Sequence, residues 1–166
     1  MRTNLSSQIS LNRVSTRYYK PENTIERSVL TRFEKIPTNI YETVDEGVSC
    51  IADEIIRKVQ ERQRDGKFCT IATGTGASLR PLFAELVRRH KEEGVSFRDV
   101  VVFNLYEYYP LTEPNNSSFN QLNELFLKQV DIDPQNVFTL NGTIPQEGVI
   151  DHSHLYEQSI KNYGVI

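Results

Sequence analysis

Cysteine is scarce in this chain. Cys50 and Cys69 are the two among 166 residues, too few for a disulfide framework and wrongly spaced for a paired-cysteine zinc site. Each lies in an apolar pattern, so both are expected to be buried, reduced thiols. Long apolar runs are also missing. No stretch approaches the roughly 20 residues of a membrane helix, and the N-terminus lacks the apolar core of a secretory signal. The expectation is a cytoplasmic protein with no membrane partner. Nor is there an excess of positive charge: 19 Lys and Arg against 22 Asp and Glu give a net −3. That balance argues against nucleic acid as a whole-surface partner but leaves room for a local anion site. His152 and His154 stand two apart, which on a helix separates them by about 200°. They cannot share a metal, and capping or solvated roles are expected. No metal site and no cofactor are implied, because neither a metal cluster nor a dinucleotide fingerprint is complete.

What the chain does have is the make-up of one globular domain with a sizeable core, 38% hydrophobic and 25% charged. Arg2, Arg13, Arg17 and Lys20 stand among serines, and no acid precedes Glu22. This resembles a transit peptide in composition but lacks clear amphipathic spacing, and it reads as a basic arm. Residues 1–39 are therefore taken as an N-terminal extension and 40–166 as the domain proper. A short helix is predicted from Ile25 to Phe33, before Pro37. From Val44 to Arg64 the residues Val48, Ile51, Ala52, Ile55, Ile56 and Val59 recur at helical spacing on one face. Gly66 ends that helix, and Lys67 to Thr73 reads as a buried strand.

Another helix follows, with Ser78 as its N-cap, Pro81 in its first turn and Gly94 at its end. Asp99 to Leu105 is a second buried strand around Val100-Val101-Val102-Phe103. After a polar loop comes a helix capped by Ser117 or Ser118 and packed through Phe119, Leu122, Leu125, Phe126 and Val130. A short strand at Val137 to Leu140 and a helix over Gln146 to Tyr163 complete the order. The alternation predicts an α/β fold: a Rossmann-like parallel sheet with helices on both faces, incomplete at the C-terminus. Arg88-Arg89-His90-Lys91, near a helix C-terminus, complements the helix dipole.

In such sheets sites form at the carboxyl ends of strands, and two polar segments stand there. Thr73-Gly74-Thr75-Gly76-Ala77-Ser78 joins a strand to a helix. Its glycines permit a tight turn and close approach of backbone amides, and the helix N-terminus adds about half a positive charge, so a phosphate suits it. It is not a Walker loop, since the Gly-Lys-Ser/Thr ending is absent, and Leu79 stands where a dinucleotide fingerprint needs its third glycine. The second segment is Phe103-Asn104-Leu105-Tyr106-Glu107-Tyr108-Tyr109. Its Asn104 and Glu107 are candidates for hydroxyl contacts or proton transfer, the plainer alternative being an aromatic loop that packs on itself.

With Val95-Ser96-Phe97, the run Val130 to Val137, Leu140-Asn141-Gly142 and Tyr156 to Ile160, these segments resemble the glucosamine-6-phosphate deaminase family, which shares its fold with the 6-phosphogluconolactonases. The resemblance covers about residues 40–166. It implies a small-molecule sugar phosphate as partner, held through Thr73, Gly74, Thr75, Gly76 and Asn104, and a homo-oligomer when the protein is full length. It also implies ring opening, proton abstraction at C2 and release of ammonia, which converts glucosamine 6-phosphate to fructose 6-phosphate. The family's second loop typically reads Phe-Asn-Met-Asp-Glu-Tyr, with the aspartate as base. Here Tyr106 takes that position, leaving Tyr106 and Glu107 as the catalytic candidates. A phenol with pKa near 10 is only about one part in a thousand ionised at pH 7, and the sequence offers no cation to depress it. The glycine loop departs as well, since the family reads Thr-Gly-Gly/Ser-Thr-Pro. The family's Asp-Gly-His and Phe-Asn-Glu segments are absent, and Gly164-Val165-Ile166 reads as a strand cut short. A fragment of a longer protein is therefore expected, weak or inactive alone. The alternatives are a non-catalytic sugar-phosphate-binding or scaffold domain and a lactonase-like hydrolase, although lactonases usually carry Asp-Glu-Arg where this chain has Tyr106-Glu107-Tyr108.

Overall fold

The computed structural model describes residues 23–25 and 39–163. The basic arm, most of the helix expected at 25–33 and the strand opening expected at 164–166 lie outside those residues. The chain divides into two compact units, Met1–Gly47 and Val48–Ile166. In the described part of the first unit, Thr43 Oγ1 accepts a hydrogen bond from the Glu46 amide at 3.2 Å. That bond caps helix α1, Val44–Arg64, which opens with Asp45 and Glu46 and closes with Arg62 and Arg64, charges that oppose its dipole at both ends.

In the second unit α1 buries Ala52, Ile56 and Val59. Its apolar stripe is narrower than the spacing predicts, since Ile51 remains 48% exposed. Cys50 is exposed and Cys69 only half-buried, which corrects the expectation of two buried thiols. Cys50 lies about 200° around the helix from Ala52, and Cys69 opens a strand that has one neighbour among the described residues.

That strand, β1 (Cys69–Thr73), pairs in parallel with β2 (Val100–Asn104), and β2 pairs in parallel with β3 (Val137–Phe138), in the order β1-β2-β3. Every residue of β2 is buried, whereas β1 is half-buried throughout. An uninterrupted apolar run with partners on both sides forms the centre of a sheet, and Val100 to Phe103 is such a run. Phe68, expected inside the first strand, precedes it and is 48% exposed.

Helices cover both faces. Alternation along β2 sends Val100 and Val102 one way, into a core shared with α1, with Leu82, Phe83, Leu86 and Val87 of α2 (Arg80–Glu93), and with Leu122 of α3 (Ser118–Leu125). Phe126 stacks on Phe83 at 5.4 Å and meets Phe97 edge-on at 5.7 Å. On the other face Phe103 stacks on Phe138 at 4.8 Å and meets the edge of Tyr156 of α4 (Val149–Asn162) at 5.8 Å. Gly94 ends α2 at φ 72°, a left-handed cap that glycine adopts without strain. Asp131 then ties the segments that enter β2 and β3 together, accepting from the Ser96 hydroxyl and the Phe97 amide, both at 2.6 Å.

Candidate functional site

Thr73 and Asn104 are register partners at the ends of β1 and β2, so the two segments singled out in the sequence leave the sheet side by side. Leu105 N–H extends the pairing by donating to Thr73 C=O at 2.9 Å. The first segment turns through Gly74, Thr75 and Gly76 into a 3-10 turn, Ala77–Leu79, and then into α2. Ser78 is not the N-cap of α2. Leu79 precedes the helix and no side chain caps it; Pro81 in the first turn has no amide hydrogen to satisfy.

The second segment folds back onto the first. Thr75 N–H donates to the Tyr106 phenol oxygen at 3.3 Å, and Thr75 Oγ1 lies 3.3 Å from that same oxygen. Thr75 Oγ1 is also 3.1 Å from Ser118 Oγ, which donates to Asn104 Oδ1 at 3.2 Å. The donors can then be ordered, because a hydroxyl has one proton. Ser118 spends its proton on Asn104, so Thr75 Oγ1 donates to Ser118 and the Tyr106 phenol donates to Thr75. Asn104 Nδ2 closes the circuit by donating to Tyr106 C=O at 2.9 Å. The Tyr106 ring rests on Gly74, where an added Cβ would come within 2.6 Å of Cε1. This close approach is what glycine at position 74 permits. Once ionised, the phenolate can accept from both the Thr75 hydroxyl, its proton then turned from Ser118, and the Thr75 amide, which places the Tyr106 pKa below its ordinary value.

Asn104 is fully buried, and its side chain is committed at both ends to Ser118 and Tyr106. In this arrangement it braces the loop. Glu107 is equally committed: its carboxylate accepts from Ser117 Oγ at 2.7 Å and from the amides of Ser118 at 2.8 Å, Phe119 at 3.1 Å and Tyr108 at 3.0 Å. Burial pushes this carboxyl up, but the Ser117 hydroxyl and the three amides outweigh it and hold the group below the usual carboxylate range. Glu107 therefore sits as an anion at the N-terminus of α3. Ser117 is the N-cap there, accepting from Asn120 N–H at 3.1 Å. Ser117→Ala is expected to cost about 1–2 kcal/mol, read as a lower urea midpoint at unchanged slope.

Three further residues shape this site without standing among the site candidates of the sequence, although Gly142 and Tyr156 lie in segments that carry the family resemblance. Ser118 reads there only as a possible cap. Tyr156 reads as a helical position, yet its phenol donates to Asn104 C=O at 2.7 Å and burial pushes it up to about 12. Gly142 accepts from Leu111 N–H at 2.7 Å and packs so closely that an added Cβ would lie 2.2 Å from Tyr108 C=O. Sequence proximity cannot reveal contacts between segments 30 or more residues apart.

The remaining candidates resolve into structure. Asn141 N–H donates to His152 Nε2 at 2.9 Å, which ties the loop after β3 to α4. Arg88 and Arg89 share Glu85 at 2.7 Å each, and Arg89 reaches Asp53 at 3.0 Å, so the two arginines of the basic run are paired with acids, while Lys91 donates to Gln129 at 3.0 Å; Arg88, then Arg89, hold Glu85 down to about 2. Among the described residues no group of three or more His, Cys, Asp or Glu is placed to hold a metal, and no helix is long and apolar enough to cross a membrane.

The parallel sheet flanked by helices, with two loops meeting where adjacent strands end, defines a Rossmann-like α/β domain. Solved structures share it. A monomeric glucosamine-6-phosphate deaminase matches 74% of this chain and 48% of its own at a TM-score of 0.64 and 24% identity; a 6-phosphogluconolactonase from Thermotoga maritima matches 69% and 50% at 0.56 and 18%. At those identities the likeness concerns the fold. In sequence, the chain is 56% identical over 167 aligned positions to a glucosamine-6-phosphate deaminase-like protein of Bacteroides thetaiotaomicron, spanning 100% of this chain and 25% of that protein. It is 31% identical to the glucosamine-6-phosphate deaminase of Dictyostelium discoideum over 71% of this chain and 48% of that one. No family model matches. The chain belongs to the glucosamine-6-phosphate deaminase family, and it spans about half the length or less of the curated relatives it matches.

Proposed function

We propose that this chain is the sugar-phosphate-recognising part of a glucosamine-6-phosphate deaminase-like protein, with a phosphoryl group received by the loop from Thr73 to Gly76. The observation that carries the reading is the meeting of the two strand-end loops at Thr75 and Tyr106. A loop of this kind ahead of a helix offers amides and a positive dipole end to an anion, and the relatives named glucosamine-6-phosphate deaminase align across it. In the complete protein the reaction is hydrolytic loss of the C2 amino group as ammonia, turning glucosamine 6-phosphate into fructose 6-phosphate.

The chain alone is proposed to be weak or inactive, because neither candidate is a free base. Tyr106 is a phenol engaged by Thr75, and the Glu107 carboxylate is surrounded by four donors. A non-catalytic sugar-phosphate sensor is the second reading, favoured by Tyr106. The test is ammonia release from glucosamine 6-phosphate by the 166-residue chain. Turnover far below one per second, with saturable binding of the sugar phosphate, is expected; turnover of a few per second or more, ordinary for an enzyme, contradicts the proposal.

A further inference from the structure

We propose that Tyr106 is the glycine loop's own occupant: its phenol oxygen holds the Thr75 amide that a phosphoryl oxygen would take, so a ligand enters by displacing it. This rests on the sugar-phosphate reading of the loop and identifies the residue that sets its affinity and selectivity.

Three features support the displacement. The Thr75 N–H is directed at the phenol oxygen, 3.3 Å away, and one amide hydrogen serves one strong acceptor at a time. The ring lies over Gly74, covering the backbone an incoming anion must approach. The ring can also leave without moving the backbone of its loop. Tyr106 is 40% exposed; outward rotation gives up its contacts with Thr75 and the edge contact with Tyr108 at 6.3 Å, while the backbone stays tied through Asn104 Nδ2, which donates to Tyr106 C=O at 2.9 Å. The side chain can therefore rotate outward while the loop stays pinned. Its departure leaves the Thr75, Ser118 and Asn104 chain intact.

Selectivity follows from the chemistry of the exchange. A neutral phenol and a neutral sugar hydroxyl are comparable acceptors, so an unphosphorylated sugar gains nothing by replacing Tyr106. A phosphate dianion accepts charge-assisted hydrogen bonds, about twice as strong as neutral ones, and adds attraction to the helix end. The occupied loop thus admits phosphorylated sugars and rejects their unphosphorylated counterparts.

The experiment is calorimetric titration of the wild-type chain, Tyr106→Phe and Tyr106→Ala with inorganic phosphate, glucosamine 6-phosphate and glucosamine. Tyr106→Phe removes the hydroxyl and keeps the ring. Both variants are expected to bind inorganic phosphate about three- to tenfold more tightly than wild type, the scale of one released hydrogen bond. Faster exchange of the Thr75 amide hydrogen should accompany that gain in the ligand-free variants, while wild type binds the sugar phosphate and not glucosamine. If wild type binds phosphate and both variants bind it equally or more weakly, the occupant role is wrong and the phosphate reading stands. If no form binds either phosphate compound, the phosphate reading itself fails and the occupant role falls with it.

Discussion

Tyr106→Asp is expected to raise ammonia release from glucosamine 6-phosphate by about a hundredfold or more in the protein as its host produces it, the usual scale of a well-placed general base. Position 106 stands two residues beyond the end of the central strand, beside the glycine loop, where sheets of this kind present reactive groups. At pH 7 a carboxylate with an ordinary pKa near 3.9 is almost fully ionised, whereas an ordinary phenol is about one part in a thousand ionised. Donation from the Thr75 hydroxyl and amide to the ionised oxygen lowers the Tyr106 pKa, yet in the neutral form the phenol proton is held on Thr75 Oγ1 and the oxygen already accepts from the Thr75 amide. Aspartate is also too short to cover Gly74 as the ring does, so the substitution opens the loop as it supplies the base. Tyr106→Asn separates the two effects, since it shortens the side chain without adding a base. A gain with Asp and none with Asn assigns the effect to proton abstraction. Equal gains would assign it to loop opening, and no gain with either would place the base elsewhere.

Removing the Glu107 carboxylate is expected to act on stability. Glu107→Ala should cost about 2–3 kcal/mol, because several hydrogen bonds to a charged acceptor are lost together and the buried Ser118 amide is left unpaired. Partial solvent exposure keeps the sum below four independent bonds. A melting temperature roughly 5–10 °C lower is the corresponding shift for a chain of this size. The pH dependence has a definite sign. The folded-state pKa of Glu107 lies below its unfolded value, so its contribution is full above the unfolded pKa near 4.3 and is lost as pH falls through the folded one. Glu107→Gln keeps the shape and removes the charge, so the acid decline of stability should become shallower in that variant. A Glu107→Ala protein within 0.5 kcal/mol of wild type would show that the four donors find water just as well.

The parts of the fold legible in the sequence are those set by contacts between near neighbours. Helix α1 spans Val44–Arg64 as its periodicity predicts, and Gly94 ends α2 as its freedom at positive φ allows. Ser117 caps α3 by reaching three residues ahead. The Val100 to Phe103 run becomes the central strand because four consecutive apolar residues need cover on both faces. Errors appear where a residue's surroundings come from elsewhere in the chain. Cys50 and Phe68 look buried in a local window, but nothing among the described residues covers them enough to make them so. The strand expected at Val137 to Leu140 pairs over two residues, and Gly142 beyond it is committed to the loop that carries Tyr108 and Leu111.

The same division runs through the candidate site. The amino-acid sequence by itself determined which residues stand at the carboxyl ends of β1 and β2, because strand periodicity and glycine punctuation are local. It also determined that a phenol occupies position 106. Only the tertiary structure decided what those residues touch: that the phenol lies on Gly74 and holds the Thr75 amide, that Glu107 is spent on α3, and that Asn104 braces the loop from a fully buried position. Each of these contacts depends on the parallel register that sets Thr73 beside Asn104. That register is fixed by burial of the central strand between the helices, and no window of sequence contains it.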